Sequence, residues 1–451
     1  MARTQDATMP TWLTRTLLVG LGFIFVMMPV HAFVSTWGGT VIGPLWVWKS
    51  WKELLLVLLV LPVFVWLATN RSALRQVAKN PLAIGVVLYI ALSVVLAITF
   101  WSENGSQAVM AGLAMNLRYL GIAALAYLLF RYGNLSETWL VRGMWFVVSA
   151  GVFVAVLGIM QILIIPSDYL VMFGYEKGVT IAPYTLIDNN PDLLRAFGTL
   201  RGPNDFGAFL ILPIILVITQ VRRLPIWVSI SLLGLLGWGL ILSSSRSAWI
   251  GMVVALMAYA FYTIGRRLKL TYIIGLLAVL VITFAGMFYA AVNVAVLRQA
   301  VFHSSPGDPS LTEGSTDKHL TATLNGITRV VEQPLGCGVG CAGPASYYGE
   351  QGKISENYFV QIAEETGIVG LIFFLCVVGY VAYRLSKNRR QQVLSRALLV
   401  TLFGYVAIGL LLHVWSDDPL SITWWLLAGA VIGYNEKSSW RKSKNSSRSK
   451  T

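Results

Sequence analysis

Two arginines and an asparagine lie directly before an apolar run that is long enough to cross a bilayer. They are Arg195, Arg201 and Asn204, in the segment R-A-F-G-T-L-R-G-P-N-D-F-G. A guanidinium keeps its charge in proteins, and beside hydrocarbon it needs an anion or a water-lined cavity. Because phosphate oxygens match its fork of donors, the segment predicts a site for a phosphate-bearing ligand. The alternative is that these side chains only extend to the lipid headgroups.

A second polar group opens a later apolar run, S-E-N-Y-F-V-Q-I-A-E-E-T-G-I-V-G. Asn357, Gln361 and Glu364 stand at i, i+4 and i+7, so that they share one face of a helix. This polar face predicts contact with a wet interior rather than with lipid. The alternative is an ordinary helix start, with Ser355 as the N-cap. Gly367 and Gly370 follow one turn apart, and this spacing permits a bend or a close helix contact.

The segment K-H-L-T-A-T-L-N-G-I-T-R-V-V-E, from Lys318 to Glu332, carries apolar residues at three- and four-residue steps. This period predicts an amphipathic helix, which we expect to lie over the cavity. The apolar positions are Leu320, Leu324, Ile327, Val330 and Val331. The turn P-L-G-C-G-V-G-C-A-G-P-A follows, and its glycines permit positive φ and close approach to a ligand. Cys337 and Cys341 either form a disulfide in an oxidising compartment or are two small turn residues.

Composition predicts a polytopic membrane protein, because 56% of the residues are hydrophobic and only 12% are charged. Apolar runs of the length that a membrane helix requires, about 17 to 25 residues, indicate an all-α fold of about twelve transmembrane helices. A lone Arg118 within one run is expected to brace the bundle. The runs begin near Leu17, Leu54, Leu82, Val109, Gly143, Phe206, Trp227, Ala248, Thr271, Phe359, Ala397 and Leu420.

Orientation follows from the lysines and arginines, which are concentrated in short cytoplasmic loops. Most of the 34 basic residues fall on the same side if both termini are cytoplasmic. The net charge of +14 then reflects topology, and the basic tail 435–451 is expected to touch anionic lipid, with no nucleic-acid binding. Two long loops lie on the opposite, external face, which is therefore predicted to be the active one.

The predicted organisation has four parts. Residues 1–294 form nine transmembrane helices with an external loop at about 166–203, and residues 295–356 form a large external loop with the amphipathic helix. Residues 357–434 form three further helices before the basic tail. A shorter external segment, 35–52, contains four tryptophans and is predicted to be interfacial or re-entrant.

Three motifs together resemble the integral-membrane O-antigen polymerase and O-antigen ligase superfamily. In chain order they are R-A-F-G-T-L-R-G-P-N-D-F-G, S-S-S-R-S-A-W, and P-L-G-C-G-V-G followed by S-E-N-Y-F and G-I-V-G. The resemblance covers about residues 195–371 directly, and the twelve-helix frame covers the rest. It implies a metal-independent glycosyltransferase of the helical membrane class, similar to GT-C enzymes, with no cofactor. The substrate implied is a glycan on undecaprenyl diphosphate, transferred to an acceptor hydroxyl.

The resemblance also implies roles for individual residues. Arg195, Arg201 and Arg246 would stabilise the departing diphosphate, which needs no divalent metal, and Asn204 and His319 would assist them. Glu356 would take the proton of the acceptor hydroxyl, while Asn357 or Tyr358 positions that acceptor. For Arg246 the alternative is that its serine-rich turn only ends a helix, and for His319 that it is an ordinary surface residue. The substrate-binding set is completed by Gln361 and Glu364.

One departure from the ligase pattern favours a polymerase. The ligases carry a histidine before the Asn of H-N-x9-G-x-x-G, whereas this chain has Glu356, followed by Asn357 and the pair Gly367 and Gly370. Transfer to a lipid or protein acceptor, and transport of a lipid-linked or anionic solute, are the alternatives. The expected location is the bacterial cytoplasmic membrane, with membrane lipid, a chain-length regulator or a flippase as further partners.

Overall fold

The computed structural model describes residues 8–187, 190–264, 315–349, 352–387 and 392–448. These residues are overwhelmingly helical, which confirms the predicted all-α fold. The first half of the chain contains α1 (Thr11–Met27), α2 (His31–Val41), α3 (Leu45–Thr69), α4 (Arg71–Ala78), α5 (Pro81–Thr99), α6 (Trp101–Asn104), α7 (Ser106–Tyr132) and α8 (Thr138–Leu163). The second half contains α9 (Pro203–Gln220), α10 (Ile226–Leu242), α11 (Arg246–Ile264), α12 (Ser315–Glu332), α13 (Tyr358–Ser386), α14 (Gln392–Gly409) and α15 (Asp418–Arg448).

Among the described residues, seven helical segments are long and apolar enough to cross a membrane. They are Thr11–Val41, Leu45–Thr69, Pro81–Thr99, Ser106–Tyr132, Thr138–Leu163, Pro203–Gln220 and Tyr358–Ser386, and two shorter apolar helices are Ile226–Leu242 and Val393–Gly409. Each predicted apolar run coincides with a described helix except the run near Thr271, which lies outside the described residues. The chain is therefore an all-α polytopic membrane protein.

Small residues allow two helix pairs to pack closely. Gly429 and Gly433 of α15 lie one turn apart, and a Cβ atom at either would overlap a carbonyl oxygen of α7, at Ala123 or Tyr127. A Cβ atom at Gly404 of α14 would lie 2.5 Å from the carbonyl oxygen of Gly251 in α11. Such close backbone contact is how small residues stabilise helix pairs within a bilayer.

The connections predicted to be external gather at one end of the bundle. Asn104 Nδ2 donates to the carbonyl oxygen of Cys337 at 2.9 Å, and Asn357 Nδ2 donates to that of Leu410 at 3.0 Å. We call this end the site face; it comprises the described residues of the connections 164–202, 243–245, 333–357 and 410–417. At the opposite end Lys437 Nζ donates to the carbonyl oxygen of Gly133 at 2.9 Å. The assignment of these two ends to membrane sides stays a prediction.

The connection 164–202 is compact and contains regular structure. A 3-10 helix spans Tyr169–Phe173, and a short antiparallel hairpin pairs β1 (Leu186–Ile187) with β2 (Asn190–Leu194). The hairpin ends immediately before Arg195. The hairpin therefore places Arg195 at the site face.

The segment 35–52, predicted to be interfacial or re-entrant, forms the end of α2, a tight turn and the start of α3, and its position relative to the membrane stays a prediction. Ser35 Oγ donates to the carbonyl oxygen of Trp48 at 2.7 Å, and the Trp48 ring packs against Gly38. These contacts hold the segment as a helical hairpin. The clustered indoles include helix-packing side chains as well as exposed ones.

The alternative of an N-cap at Ser355 is wrong, because Asn357 caps α13. Its side-chain oxygen accepts from the backbone N–H groups of Phe359 and Val360 at 3.0 and 3.1 Å. The bend expected near the glycine pair is confirmed at Gly367, whose φ of +70° interrupts α13. The amphipathic helix is confirmed as α12, which contains the whole predicted segment from Lys318 to Glu332.

Candidate functional site

Arg195 lies where β2 ends and reaches the turn between α10 and α11. Its Nε donates to the carbonyl oxygen of Ser243 at 3.0 Å, and Nη2 donates to Ser244 O at 3.2 Å and to Asn204 Oδ1 at 2.9 Å. Ser244 has a φ of +48°, so the turn is tight and its carbonyls need partners other than the helix. Arg195 thus braces the start of α9 against the end of α10.

Arg195 also keeps its positive charge, although its surroundings disfavour it. Burial, and then the nearby Arg246, lower the pKa of Arg195 to about 10. Two guanidinium groups from separate segments are therefore neighbours here. Adjacent fixed cations that are partly removed from water gain most from binding an anion of high charge.

Arg201 differs from Arg195 because it is exposed and makes no hydrogen bond or ion pair within the described ranges. It interacts electrostatically with Lys49, Asp205 and Asp417. Asp417 is buried at 9% exposure, and burial raises its pKa well above the ordinary value. Arg201 is thus an exposed cation with free donors near two acidic side chains.

Glu356 contacts His319 and interacts electrostatically with His413. Its Oε2 lies 3.2 Å from His319 Nδ1 on α12, and its backbone has a φ of +51°, which is unusual for a non-glycine residue. The close contact with His319 lowers the pKa of Glu356, and burial opposes this only in part. The carboxylate is consequently ionised at neutral pH and partly accessible, with 27% of its side chain exposed.

His413 is a residue that the sequence analysis did not single out. Both of its ring nitrogens are buried and have no hydrogen-bond partner among the residues described. Burial lowers the pKa of His413 to about 4, while its interaction with Glu356 acts in the opposite direction. A neutral imidazole with free ring nitrogens therefore lies close to the carboxylate, and a buried polar group of this kind is normally paired in the working state.

The connection 410–417 joins the arginines to the carboxylate. Leu410 accepts a hydrogen bond from Asn357, His413 interacts with Glu356, and Asp417 interacts with Arg201. The structure thus brings the predicted cations and the predicted base to one face, and it does so through a segment without a recognisable motif.

The remaining predicted residues on α13 have protein partners. Tyr358 is fully buried, with its hydroxyl 2.8 Å from that of Tyr119. Gln361 Nε2 donates to Glu365 Oε2 at 3.3 Å, and Glu364 Oε1 accepts from Arg329 Nε at 2.5 Å. Asn357 is engaged in capping. The polar face thus packs against the protein interior, and substrate-binding roles for these residues stay predictions.

The glycine-dense turn packs against the bend of α13. Cys337 and Cys341 form a disulfide, which resolves the alternative left open by their spacing. The backbone N–H of Cys337 donates to the carbonyl oxygen of Glu364 at 2.8 Å, and that of Gly340 donates to Glu365 Oε1 at 2.8 Å. The turn therefore fixes the helix that begins just after Glu356.

A buried charge network beneath this face is the largest feature that the sequence analysis missed. Arg118 on α7 pairs with Asp418 on α15, and its Nη1 lies 3.2 Å from Glu53 Oε1 on α3. Lys52 Nζ lies 3.1 Å from Asp418 Oδ2, and His31 Nε2 lies 3.3 Å from the same oxygen. The bracing role expected of Arg118 is confirmed. A lone arginine in an apolar run requires a partner, and this requirement could have directed attention to the acids at 417 and 418.

An apolar cavity of about 420 Å³ opens beside Arg195. Its wall includes Phe33, Phe153, Leu157, Tyr184 and Leu194. Hydrocarbon and a fixed cation are thus adjacent on this side of the protein.

Comparison with known proteins supports a single superfamily. Residues 230–375 match the family model described as O-antigen ligase, a range that includes Arg246, His319 and Glu356. A protein of Salmonella muenchen named O-antigen polymerase is 25% identical over 354 residues, which cover 75% of this chain and 84% of that relative. The resemblance to the O-antigen polymerase and O-antigen ligase superfamily is thereby confirmed, and an enzyme of the glycosyltransferase type is supported.

Proposed function

We propose that this protein polymerises oligosaccharide repeat units, carried on undecaprenyl diphosphate, into a surface polysaccharide. In this proposal the site face is the outer face of the bacterial cytoplasmic membrane. The observation that carries the proposal is the ionised Glu356, held by His319 on the same face as Arg195, Arg201 and Arg246. The named O-antigen polymerase supports polymerisation as the activity.

The reaction joins two lipid-linked glycans. The acceptor hydroxyl attacks C1 of the donor sugar, a new C1–O bond forms, and the C1–O bond to the diphosphate breaks with its electron pair passing to the diphosphate oxygen. Glu356 takes the hydroxyl proton. Because the attacking oxygen enters opposite the departing one, the anomeric centre is inverted.

The cations have distinct tasks in this mechanism. Arg201 has free donors and is assigned direct contact with the diphosphate, whereas Arg195 is held by backbone carbonyls and supplies a preorganised charge with Arg246 nearby. Charge stabilisation of the leaving group by such fixed donors commonly contributes about 100-fold or more to a rate. His413 is assigned to positioning of Glu356 and of the acceptor.

The central experiment is reconstitution of the purified full chain in liposomes with undecaprenyl-diphosphate-linked repeat units. A ladder of polymers supports the proposal, and a single glycosylated acceptor supports ligation. Movement of the glycan between leaflets without new bonds supports transport. Unchanged turnover in the presence of EDTA is expected if the arginines alone neutralise the diphosphate, and loss of turnover restored by a divalent cation would contradict that part of the proposal.

Ligation is the second candidate because the matching family model is described as O-antigen ligase. It uses the same leaving group and the same base, and only the acceptor differs. In either case Arg201→Ala should therefore lower product formation by about 100-fold or more, and Glu356→Gln should abolish it. Matched controls are Arg222→Ala, an exposed arginine beyond the other end of α9, and Glu332→Gln, an exposed glutamate at the end of α12.

A further inference from the structure

The helix α12 presents its sides in an unusual way, because its polar and small residues face the protein. Thr323 Oγ1 donates to the carbonyl oxygen of Ser355 at 2.9 Å, and Arg329 pairs with Glu364. A Cβ atom at Gly326 would lie 2.7 Å from Ser355 Cβ, so the helix sits close to the start of α13. The same inner side carries His319, which contacts Glu356.

The apolar side of α12 is exposed. Leu320, Leu324, Ile327 and Val331 are 57%, 54%, 46% and 75% exposed. They repeat at steps of four, three and four residues and form a stripe of about 17 Å along the helix axis. This amphipathic helix therefore has its apolar side turned away from the protein body.

A third side of α12 is polar and exposed, and it is formed by Thr321, Asn325, Thr328 and Glu332. At about 100° per residue, its centre lies about 100° around the helix from the centre of the apolar stripe. The helix therefore has three sides of different chemistry, which face protein, an apolar phase and water. An element at the junction of a membrane protein, its bilayer and the solvent has this arrangement.

The apolar stripe of α12 leads to the exposed apolar surface of α13. It leads toward Leu335, which is 76% exposed, in the turn after α12. The neighbouring Pro334 accepts a hydrogen bond from the backbone N–H of Ile368 at 3.0 Å. On α13 the exposed apolar surface then continues through Ile368, Val369, Ile372 and Leu375.

We propose that α12 is an interfacial helix whose apolar stripe, Leu320, Leu324, Ile327 and Val331, is inserted into the lipid leaflet on the site face. The occupant of the stripe is membrane lipid because the stripe runs into the lipid-facing surface of α13. Lipid then holds α12 from outside while its inner side holds His319 against Glu356. Since this inference depends on burial and position alone, it stands whether the enzyme extends a polymer or ligates a glycan.

The test is nitroxide accessibility in the full chain, reconstituted in lipid nanodiscs. Labels are placed at Leu324→Cys on the apolar stripe and at Thr328→Cys on the polar exposed side, both in a Cys376→Ala background. The native Cys376, which is exposed on the spanning helix α13, gives the reference for a lipid-facing site. We expect the label at Leu324 to be relaxed more by oxygen than by the nickel chelate NiEDDA, and the label at Thr328 to show the reverse.

Two results would overturn the proposal. A label at Leu324 that resembles the one at Thr328 would place the stripe in water. A label at Leu324 that is shielded from both reagents would show that protein covers the stripe, either residues 265–314 or a second copy of the chain. A label at Ile327→Cys, with Asn325→Cys as its control, repeats the measurement if Leu324→Cys fails to fold.

Discussion

At the scale of single residues, the site contains side chains held mainly by protein partners and side chains that stay accessible. Arg195 donates hydrogen bonds to the turn before α11, and the side chain of Asn357 caps α13. Arg201 and Glu356 remain accessible, and they are the residues assigned direct roles in the reaction. Substitution of the two kinds of residue should therefore have different consequences.

The first prediction compares Arg195→Ala with Arg201→Ala. Both should lower turnover by about 100-fold or more, because each removes a cation from the leaving-group site. Only Arg195→Ala should lower thermal stability, because the carbonyls of Ser243 and Ser244 lose their donor, at about 1–3 kcal/mol for each buried group left unpaired. Thermal unfolding of the purified proteins, followed by intrinsic fluorescence, measures the difference. Equal melting temperatures for both variants would show that Arg195 is not a brace.

The second prediction concerns pH. Glu356 must be ionised to act as a base, and its pKa lies below the ordinary 4.5 because of His319. The acid limb of kcat/KM should therefore lie below pH 4.5 in the natural protein. In His319→Gln the lowering contact is lost, the pKa of Glu356 rises, and the limb moves to higher pH. Asn325→Ala, on the exposed side of α12, is the control and should leave the acid limb at the same pH. An unchanged acid limb in His319→Gln would contradict the pairing of His319 with Glu356.

At the scale of elements, the positions of helices along the chain could be predicted from the sequence, whereas the contacts between helices could not. Apolar runs located the spanning helices of the described chain, and the three- and four-residue period located α12, because both signals are local. The side of α12 that packs against the protein could not be predicted from the sequence. An amphipathic period is the same whether the apolar side packs on protein or faces lipid, so it does not say which side docks.

The third prediction concerns the contact between α7 and α15. Gly429→Val should lower thermal stability strongly, because any Cβ atom at this position overlaps the carbonyl oxygen of Ala123. The two helices must then separate and lose the packing that holds them. Gly379→Val is the matched control, because nothing lies within 4 Å of a Cβ atom at that position in α13. Melting temperatures in detergent test the pair, and an equal loss in both variants would assign the effect to helix propensity instead.

At the scale of the whole molecule, the site face rests on the charge network beneath it. Asp418 is joined to Arg118, Lys52 and His31, which belong to three other helices, and the carbonyl oxygen of Ser416 accepts from Arg118 at 2.7 Å. The network therefore positions the connection that carries His413 and Asp417. Sequence analysis singled out Arg118 but not its partner Asp418, because their pairing depends on how distant helices pack, and no local pattern encodes it. His413 was missed for a related reason, since a single histidine after an apolar run has no motif.

The last prediction tests the network with a double-mutant cycle. Asp418→Asn leaves Arg118 and Lys52 with excess positive charge, and Arg118→Met leaves Asp418 and Glu53 with excess negative charge. Each single change should destabilise the protein by about 3–5 kcal/mol, as is typical when one partner of a buried pair is removed. The double variant restores the charge balance and should be more stable than the sum of the two losses implies. Denaturant unfolding in detergent micelles measures the coupling. Strictly additive losses would mean that the two side chains act independently, and the support assigned to the 410–417 connection would then have to come from helix packing alone.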